Sequence, residues 1–453
     1  MFMVLKMRKK SKTNHSTINL PPGPWKLPII GNMHQFLGSL HHRALRDLSK
    51  KHGPLMHLRL GEVSTIVISS PEPSILATKI LSYGSTSIAF APYGNYWRQL
   101  RKICSLELLC LKRVSSLIKR IASKAGSPVS LTEEVSSTIS GIISRAAFGK
   151  KCKEQETFIS VAKEAIEMGG GFNIADVFPS FQLLHLISGV RTKLERLHRE
   201  ADRIMENIIN EHKAKAKTKA GEAARVEDFV VVLLKFQEHG DSEFSSTTDN
   251  IKAVILDIFS AGSETSATTV NWAMSEMIKH PRGMKAAQDE VREVLDRKGE
   301  LHPPGTLLLP RECSESCVIN GYEIPIKTKV LVNVWAKGRD PKYWSEPERF
   351  DPERFLDSSI DYKGTNWDYL PFGAGRRICT GIAFGLINVE PPLALFLYHF
   401  DWKLPSGMRH EELDMTEFFG VAVRRKHDLN LIPILCRCVE GIFPSLGWAW
   451  DRY

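Results

Sequence analysis

The residues best equipped for chemistry stand near the C-terminus, in Phe372-Gly-Ala-Gly375-Arg376-Arg377-Ile-Cys379-Thr-Gly381. The apolar stretch that follows, Ile382 to Leu397, reads as a helix, so Cys379 precedes a helix N-terminus and has two arginines beside it. The positive end of a helix dipole and nearby cations both favour a thiolate over a thiol. Glycines around the sulfur leave access for a bulky partner and let backbone N–H groups turn toward it, which suits a metal-ligating cysteine. A redox-sensing thiol and a buried, inert cysteine are the other readings these residues allow.

A second cluster, Ala261-Gly262-Ser263-Glu264-Thr265-Ser266, interrupts a helical pattern that runs from Asn250 to Lys279 and stops at Pro281. Ile251, Val254, Ile255, Ile258 and Phe259 recur at helical spacing, so one face belongs in a core. A glycine in mid-helix costs about 1 kcal/mol against alanine, so something other than helix stability selects it. Small side chains admit a flat ligand to the backbone, and the Thr265 hydroxyl lies one turn from the Ala261 carbonyl, where it can distort the helix. A helix crossing packed through small residues accounts for the same glycine.

Other elements must position these clusters. Met1 to Leu5 is a short apolar start, followed by Lys6, Arg8, Lys9, Lys10 and Lys12. It is far short of the roughly 20 apolar residues of a bilayer span. It reads as the end of a membrane anchor with its positive flank, or as a frayed basic terminus. The prolines between Leu20 and Gly31 fix φ and remove backbone donors, which predicts a stiff connector. Leu55–Leu60 and Thr65–Ser69, broken at Gly61-Glu62, predict a hairpin. From Arg98 to about Lys298 the pattern is helical, and from Leu301 to about Pro371 it is Pro-rich and strand-like, with Lys329–Asn333 as a buried strand. The expectation is a mainly α fold with a small β portion, as one domain over 20–434, with an anchor remnant at 1–19 and an atypical tail at 435–453.

Composition narrows the function classes. The 453 residues are 43% hydrophobic and 25% charged, ordinary globular usage that excludes collagen-like, coiled-coil and disordered architectures. Eight cysteines without repeated spacing make no disulfide scaffold, which points to a reducing compartment. A net charge of +10 permits anionic membranes, nucleic acid or an acidic protein as partners. The bases are mostly interleaved with acids, as in Lys193-Leu-Glu195-Arg196, the pattern of a solvated helix face, and no nucleic-acid motif stands in the chain.

The pattern F-x-x-G-x-R-x-C-x-G resembles the haem-ligand loop of the cytochrome P450 family, and other marks of that family follow in order along nearly the whole chain. Ala261-Gly262-x-Glu264-Thr265 resembles its oxygen-activating helix, Trp97-x-x-x-Arg101 the helix that meets a haem propionate, Pro352-Glu353-Arg354-Phe355 its P-E-R-F segment, and Pro21-Pro-Gly-Pro24 the hinge behind its anchor. The wording is closest to plant microsomal members that oxidise terpenoids. The resemblance implies haem b with its iron held by the Cys379 thiolate, whose electron push favours O–O cleavage. It implies Trp97, Arg101, Arg311 and Arg377 as propionate partners, since arginine donates two parallel hydrogen bonds to a carboxylate, with Ala261 and Phe372 against the haem. Glu264 and Thr265 then deliver protons. A lipophilic substrate is expected against Ile258, Phe259, Ala261, the Leu307–Leu309 run, Phe418, Phe419, Val421 and Ala422. Electrons are expected from NADPH through a flavoprotein, NADPH-cytochrome reductase, docked on a basic face around Lys102, Arg376 and Arg377. The implied location is the endoplasmic reticulum membrane, on its cytosolic face.

The chain departs from the family in several places. The family's E-x-x-R helix precedes a His-Pro-Pro, here Leu301-His-Pro-Pro304, and pairs with the P-E-R-F arginine. In this sequence Glu293 to Arg297 leads through Lys-Gly-Glu directly to Leu301, leaving no room for that helix. Other E-x-x-R matches, at Glu200/Arg203, Glu222/Arg225 and Glu346/Arg349, stand outside that context. Arg354 is therefore expected to be a buried cation without compensation, a defect of about 3–5 kcal/mol. Pro73–Ser82 and Leu111–Leu117 are short against the family, Thr380 replaces a proline, and Cys436-Arg-Cys438 onward fits no family pattern and reads as an unstructured tail. These departures open two alternatives to an active monooxygenase. One is a non-catalytic remnant, a decayed copy or a family member with missed exons, that binds haem weakly or not at all; the other is a haem or redox sensor using Cys379.

Overall fold

The computed structural model describes residues 19–38, 40–53, 55–67, 112–149, 154–169, 177–178, 180, 189–218, 228–239, 247–294, 311–313, 315–319, 321–355, 358, 360–366, 369–375, 378–418, 420 and 422–437. In chain order the described helices are α1 (His41–His52), α2 (Lys112–Ala122), α3 (Leu131–Phe148), α4 (Gln155–Gly169), α5 (Val190–Thr218), α6 (Phe229–His239), α7 (Thr248–Lys279), α8 (Pro281–Val294), α9 (Val334–Lys337) and α10 (Ile382–His399). The strands are β1 (Met56–Leu60), β2 (Val63–Val67), β3 (Val129–Ser130), β4 (Arg311–Glu312), β5 (Cys317–Ile319), β6 (Tyr322–Ile324), β7 (Lys329–Leu331), β8 (Phe400–Lys403), β9 (Glu417–Phe418), β10 (Arg424–Arg425) and β11 (Asn430–Leu435). The chain is mainly helical with small sheets, as its sequence predicts, and it divides into two units.

The first unit comprises 1–74, 177–180 and 307–336. Its sheet runs β1-β2-β7-β4, with the expected hairpin of β1 and β2, β7 parallel to β2 and β4 antiparallel to β7. The proline-rich segment is more than a connector, because it is stapled along β1. The buried Asn32 amide donates to the carbonyls of Pro24 (3.1 Å) and Trp25 (2.9 Å), and its oxygen accepts from the Arg59 backbone N–H (2.8 Å). Backbone bonds attach it as well, from the His57 N–H to the Pro22 carbonyl (2.9 Å) and from the Asn32 N–H to the Arg59 carbonyl (2.6 Å), and the Asn32 side chain adds donors that the prolines lack. Gly23 is required there, since a Cβ would stand 2.0 Å from the His57 carbonyl oxygen.

The second unit comprises 75–176, 181–306 and 337–453. Within it α7 packs against α3, α4 and α10, burying Ile251, Val254, Ile255 and Phe259 as the periodicity predicts. Phe259 belongs to the core and not to a ligand surface: it is 1% exposed and meets Phe158 edge-on at 4.8 Å. Lys252, buried on the same helix, is neutralised by Asp202 (2.8 Å) and Glu206 (2.6 Å) of α5. Among the described residues α10 alone is long and apolar enough to cross a membrane, yet half of it is buried and it packs against α7 and α8 as a core helix. The C-terminal strand β11 extends past the expected boundary. Leu435 pairs with Phe400, and the Cys436 N–H donates to the His399 carbonyl (2.8 Å), so order reaches into the stretch expected to be an unstructured tail.

Candidate functional site

Helix α7 begins at Thr247, whose hydroxyl accepts from the Asn250 N–H (3.2 Å). Ala261 and Thr265, one turn apart on one face, are exposed at its centre, whereas Phe259 and Ser266 close by are buried. The Thr265 hydroxyl donates to the Ala261 carbonyl at 2.5 Å, the contact expected from their spacing. Ser263 makes the same bond to Phe259 (2.5 Å) and Thr269 to Thr265 (2.8 Å), so three hydroxyl side chains compete with the helix ladder around this turn. Glu264 is half-buried beside them.

Gly262 has the other of its two proposed explanations. A Cβ there would stand 3.1 Å from Cδ1 of Ile143 in α3 and 3.4 Å from Cε1 of Phe384 in the first turn of α10. The glycine permits a helix crossing, and the open surface of α7 belongs to Ala261 and Thr265.

The Cys379 loop is closed by its own backbone. The Gly373 N–H donates to Leu370 O (3.2 Å), Ile378 N–H to Gly375 O (3.1 Å) and Cys379 N–H to Phe372 O (2.9 Å). Gly373 and Gly375 adopt φ of +74° and +64°, values only glycine takes without strain. Gly381 then caps α10, so Cys379 does precede a helix N-terminus. Cys379 is exposed, and a Cβ on Gly375 would meet open space. Because Phe384 touches Gly262, the Cys379 end of α10 lies against the Ala261–Thr265 turn of α7. The arrangement fits a haem: an exposed soft sulfur donor on one element, and small side chains exposed on the neighbouring one for a flat apolar group to cover.

The remaining site candidates are distributed unevenly. Arg311 stands in the first unit, in β4, where its backbone pairs with Val330. Trp97, Arg101 and Arg377 lie outside the described residues, as do Lys102, Arg376, Leu307–Leu309, Phe419 and Val421. Phe418 is 40% exposed and carries the Arg424 guanidinium 4.6 Å above its ring.

Arg354 corrects an expectation. It is half-buried, and its fork donates to four backbone carbonyls: Asp351 (3.1 Å), Ser345 (3.2 Å), Glu346 (3.2 Å) and Arg349 (3.0 Å). Carbonyl dipoles of its own loop compensate the cation, so it is neither fully buried nor bare. The adjacent Phe355 packs with Tyr369 (5.2 Å), whose hydroxyl burial pushes up to about 12. Nothing in residue spacing marked those carbonyl partners, because backbone acceptors carry no sequence signature.

The chain matches the family model described as Cytochrome P450 over residues 21–300 and 301–430. It is 53% identical to cytochrome P450 71D11 of Lotus japonicus, over 94% of this chain and 97% of that one. It is 48% identical to premnaspirodiene oxygenase of Hyoscyamus muticus, over 94% and 95% respectively. A zebra fish cytochrome P450 solved with progesterone has the same fold, with a TM-score of 0.71 at 23% identity, covering 87% of this chain and 99% of that one. The two alignments to plant relatives run to 477 and 475 positions, longer than the 453-residue chain, so the relatives hold stretches without a counterpart here. The family match breaks between Glu300 and Leu301, the junction at which the sequence leaves no room for the expected E-x-x-R helix.

Proposed function

This chain belongs to the cytochrome P450 family and is a monooxygenase of plant type, and we propose that it inserts one oxygen atom from O2 into a lipophilic plant metabolite of the terpenoid class. The observation that carries the reading is the exposed Cys379 sulfur ahead of α10, set against the exposed Ala261–Thr265 turn of α7. The Cys379 thiolate would hold the haem iron. Trp97, Arg101 and Arg377 would hold the propionates, with Phe372 and Ala261 against the macrocycle. Haem, when bound, supplies the activation of O2 by electrons that originate in NADPH.

The protein's own residues do the rest. Thr265 donates its hydroxyl hydrogen bond to the Ala261 carbonyl, which leaves its oxygen free to accept from a water over Ala261. Glu264, the preceding residue, feeds protons to that water. The name premnaspirodiene oxygenase supports the terpenoid class. The electron donor we assign is NADPH-cytochrome reductase, attracted by the basic face around Lys102, Arg376 and Arg377.

The first unit carries what we assign as the membrane contact. Trp25 (67%), Ile29 (67%) and Leu37 (81%) are exposed within thirteen residues, and the Lys6–Lys12 run stands earlier in the sequence with twelve residues between. An amphipathic aromatic and exposed aliphatic chains in a sequence that also carries a polybasic stretch fit an anionic bilayer surface, consistent with the endoplasmic reticulum.

The test is the carbon monoxide difference spectrum of the reduced protein, with Cys379→Ala as control. A strongly red-shifted Soret band, lost in the control, supports the monooxygenase reading, and terpenoid turnover with reductase and NADPH follows. The break at Glu300/Leu301 favours one other reading, a non-catalytic remnant, and a featureless spectrum from folded protein establishes it.

A further inference from the structure

The segment Asp361–Asn366 lies against the Cys379 loop and has no part in the reading above. Gly364 adopts φ +79°, and a Cβ on it would stand 2.7 Å from Gly373 O, 2.9 Å from Ile378 Cδ1 and 3.1 Å from Ala374 Cα. Backbone conformation and space both forbid a side chain, so the segment is packed on the loop at its closest possible approach. Two of the three contacts are to loop backbone, and Ile378 immediately precedes the cysteine.

A second contact braces the other end of the loop. The Tyr362 ring meets Phe372 edge-on, with centroids 5.9 Å apart and planes at 71°. Phe372 also abuts Gly385 in the first turn of α10, where a Cβ would be 3.8 Å from Cε1. Phe372 is the residue whose carbonyl holds the Cys379 N–H (2.9 Å), so a ring in contact with both Tyr362 and α10 sets the acceptor that orients the cysteine. The brace has its own anchor: Asp361 accepts from the Lys363 N–H (2.9 Å) and from the Thr365 hydroxyl (3.3 Å), an Asx-type turn that presents Gly364.

We propose that Tyr362 and Gly364 are positioning residues for Cys379, holding the ligand loop from outside so that its sulfur is presented at one fixed place. Both act through Phe372, Gly373 and Ile378. The proposal rests on the reading of Cys379 as the iron ligand for its spectral consequence, and on the apoprotein alone for its structural one.

Two readouts separate those layers. The first is amide hydrogen exchange of the peptide spanning 370–381 in haem-free protein. Gly364→Ala and Tyr362→Leu should each raise exchange there by about tenfold, with peptides from α7 unchanged, whereas Tyr362→Phe, which keeps the ring, should match the parent. The second is the reduced carbon monoxide spectrum of the haem-loaded proteins. In the two disruptive variants the thiolate-type band should give way by half or more to the blue-shifted band of a lost or protonated ligand, at unchanged haem content. Exchange within twofold of the parent in both disruptive variants overturns the brace. So does an unchanged thiolate band in loaded protein, since the loop then holds its sulfur unaided. If Gly364→Ala does not fold, Tyr362→Leu decides the matter. A parent without any thiolate band fails the ligand reading, and hydrogen exchange then supports or overturns the brace by itself.

Discussion

The hydroxyl of Thr265 donates to the carbonyl oxygen of Ala261 at 2.5 Å, and both residues are exposed at the centre of a helix whose other faces carry buried residues. The bond orients the hydroxyl proton into the helix and turns the oxygen lone pairs outward, which is the polarity needed to accept from a water. Replacing Thr265 with alanine removes that acceptor. Product formation with reductase, NADPH and substrate should fall on the order of 10²-fold, the usual effect of a lost proton-transfer group, while the carbon monoxide spectrum stays that of the parent. Thr265→Ser should restore most of the loss; an alanine variant of full activity would remove Thr265 from the proton path.

Gly262 faces Ile143 and Phe384 with no room for a methyl group. Gly262→Ala gains about 1 kcal/mol of helix propensity but overpacks a helix crossing, a cost of about 1–3 kcal/mol. The net expectation is a lower midpoint in urea unfolding. Ile143→Val in the same chain, by removing the Cδ1 methyl that stands closest, should recover it. A Gly262→Ala protein as stable as the parent would show that α3 and α10 yield without strain.

Arg354 spends its whole fork on backbone carbonyls. Lysine keeps the charge and loses the fork, so Arg354→Lys should destabilise by about 1–3 kcal/mol through carbonyls left unpaired. Glu346 offers its backbone, and its carboxylate is occupied by exposed Arg349 at 2.7 Å. Glu346→Gln should therefore be neutral within about 0.5 kcal/mol. Chemical denaturation of both variants checks the pair; a large loss in Glu346→Gln would mean that the carboxylate, and not the carbonyl, holds the cation.

His57 gives the first unit a pH dependence. Its ring lies between the Lys26 ammonium (3.1 Å) and the Ser64 hydroxyl (2.8 Å), and burial, then the Lys26 and Arg59 cations, lower its pKa from 6.5 to about 4. The unfolded chain therefore binds the proton first as pH falls. The stability this group contributes is complete above pH 6.5, declines down to pH 4 and changes no further below. Thermal scans across that window should show a steeper decline for the parent than for His57→Gln, in which the other titrating groups remain. Equal slopes would assign the dependence elsewhere.

Much of this molecule was legible in one dimension, and the reason is local. Cys379 before a helix, Gly373 and Gly375 in the loop, the Ala261-to-Thr265 spacing and the period of Ile251 to Phe259 are properties of a few consecutive residues. Backbone geometry alone converts such spacing into position, so helix, loop and hydroxyl contact all follow from the order of residues.

What only tertiary structure decided depends on groups far apart in the chain. Gly262 could serve a flat ligand or a helix crossing, and the choice lay with Ile143 and Phe384, more than one hundred residues away on either side. Phe259 read as a pocket wall until Phe158 closed over it. Arg354 seemed bereft of partners because backbone carbonyls, which every residue has, leave no trace in composition. The proline segment read as a spacer, and Asn32 made it part of the sheet face. Spacing determines which groups a chain owns; packing determines which of them remain exposed, and at Cys379, Ala261 and Thr265 that exposure is what chemistry requires.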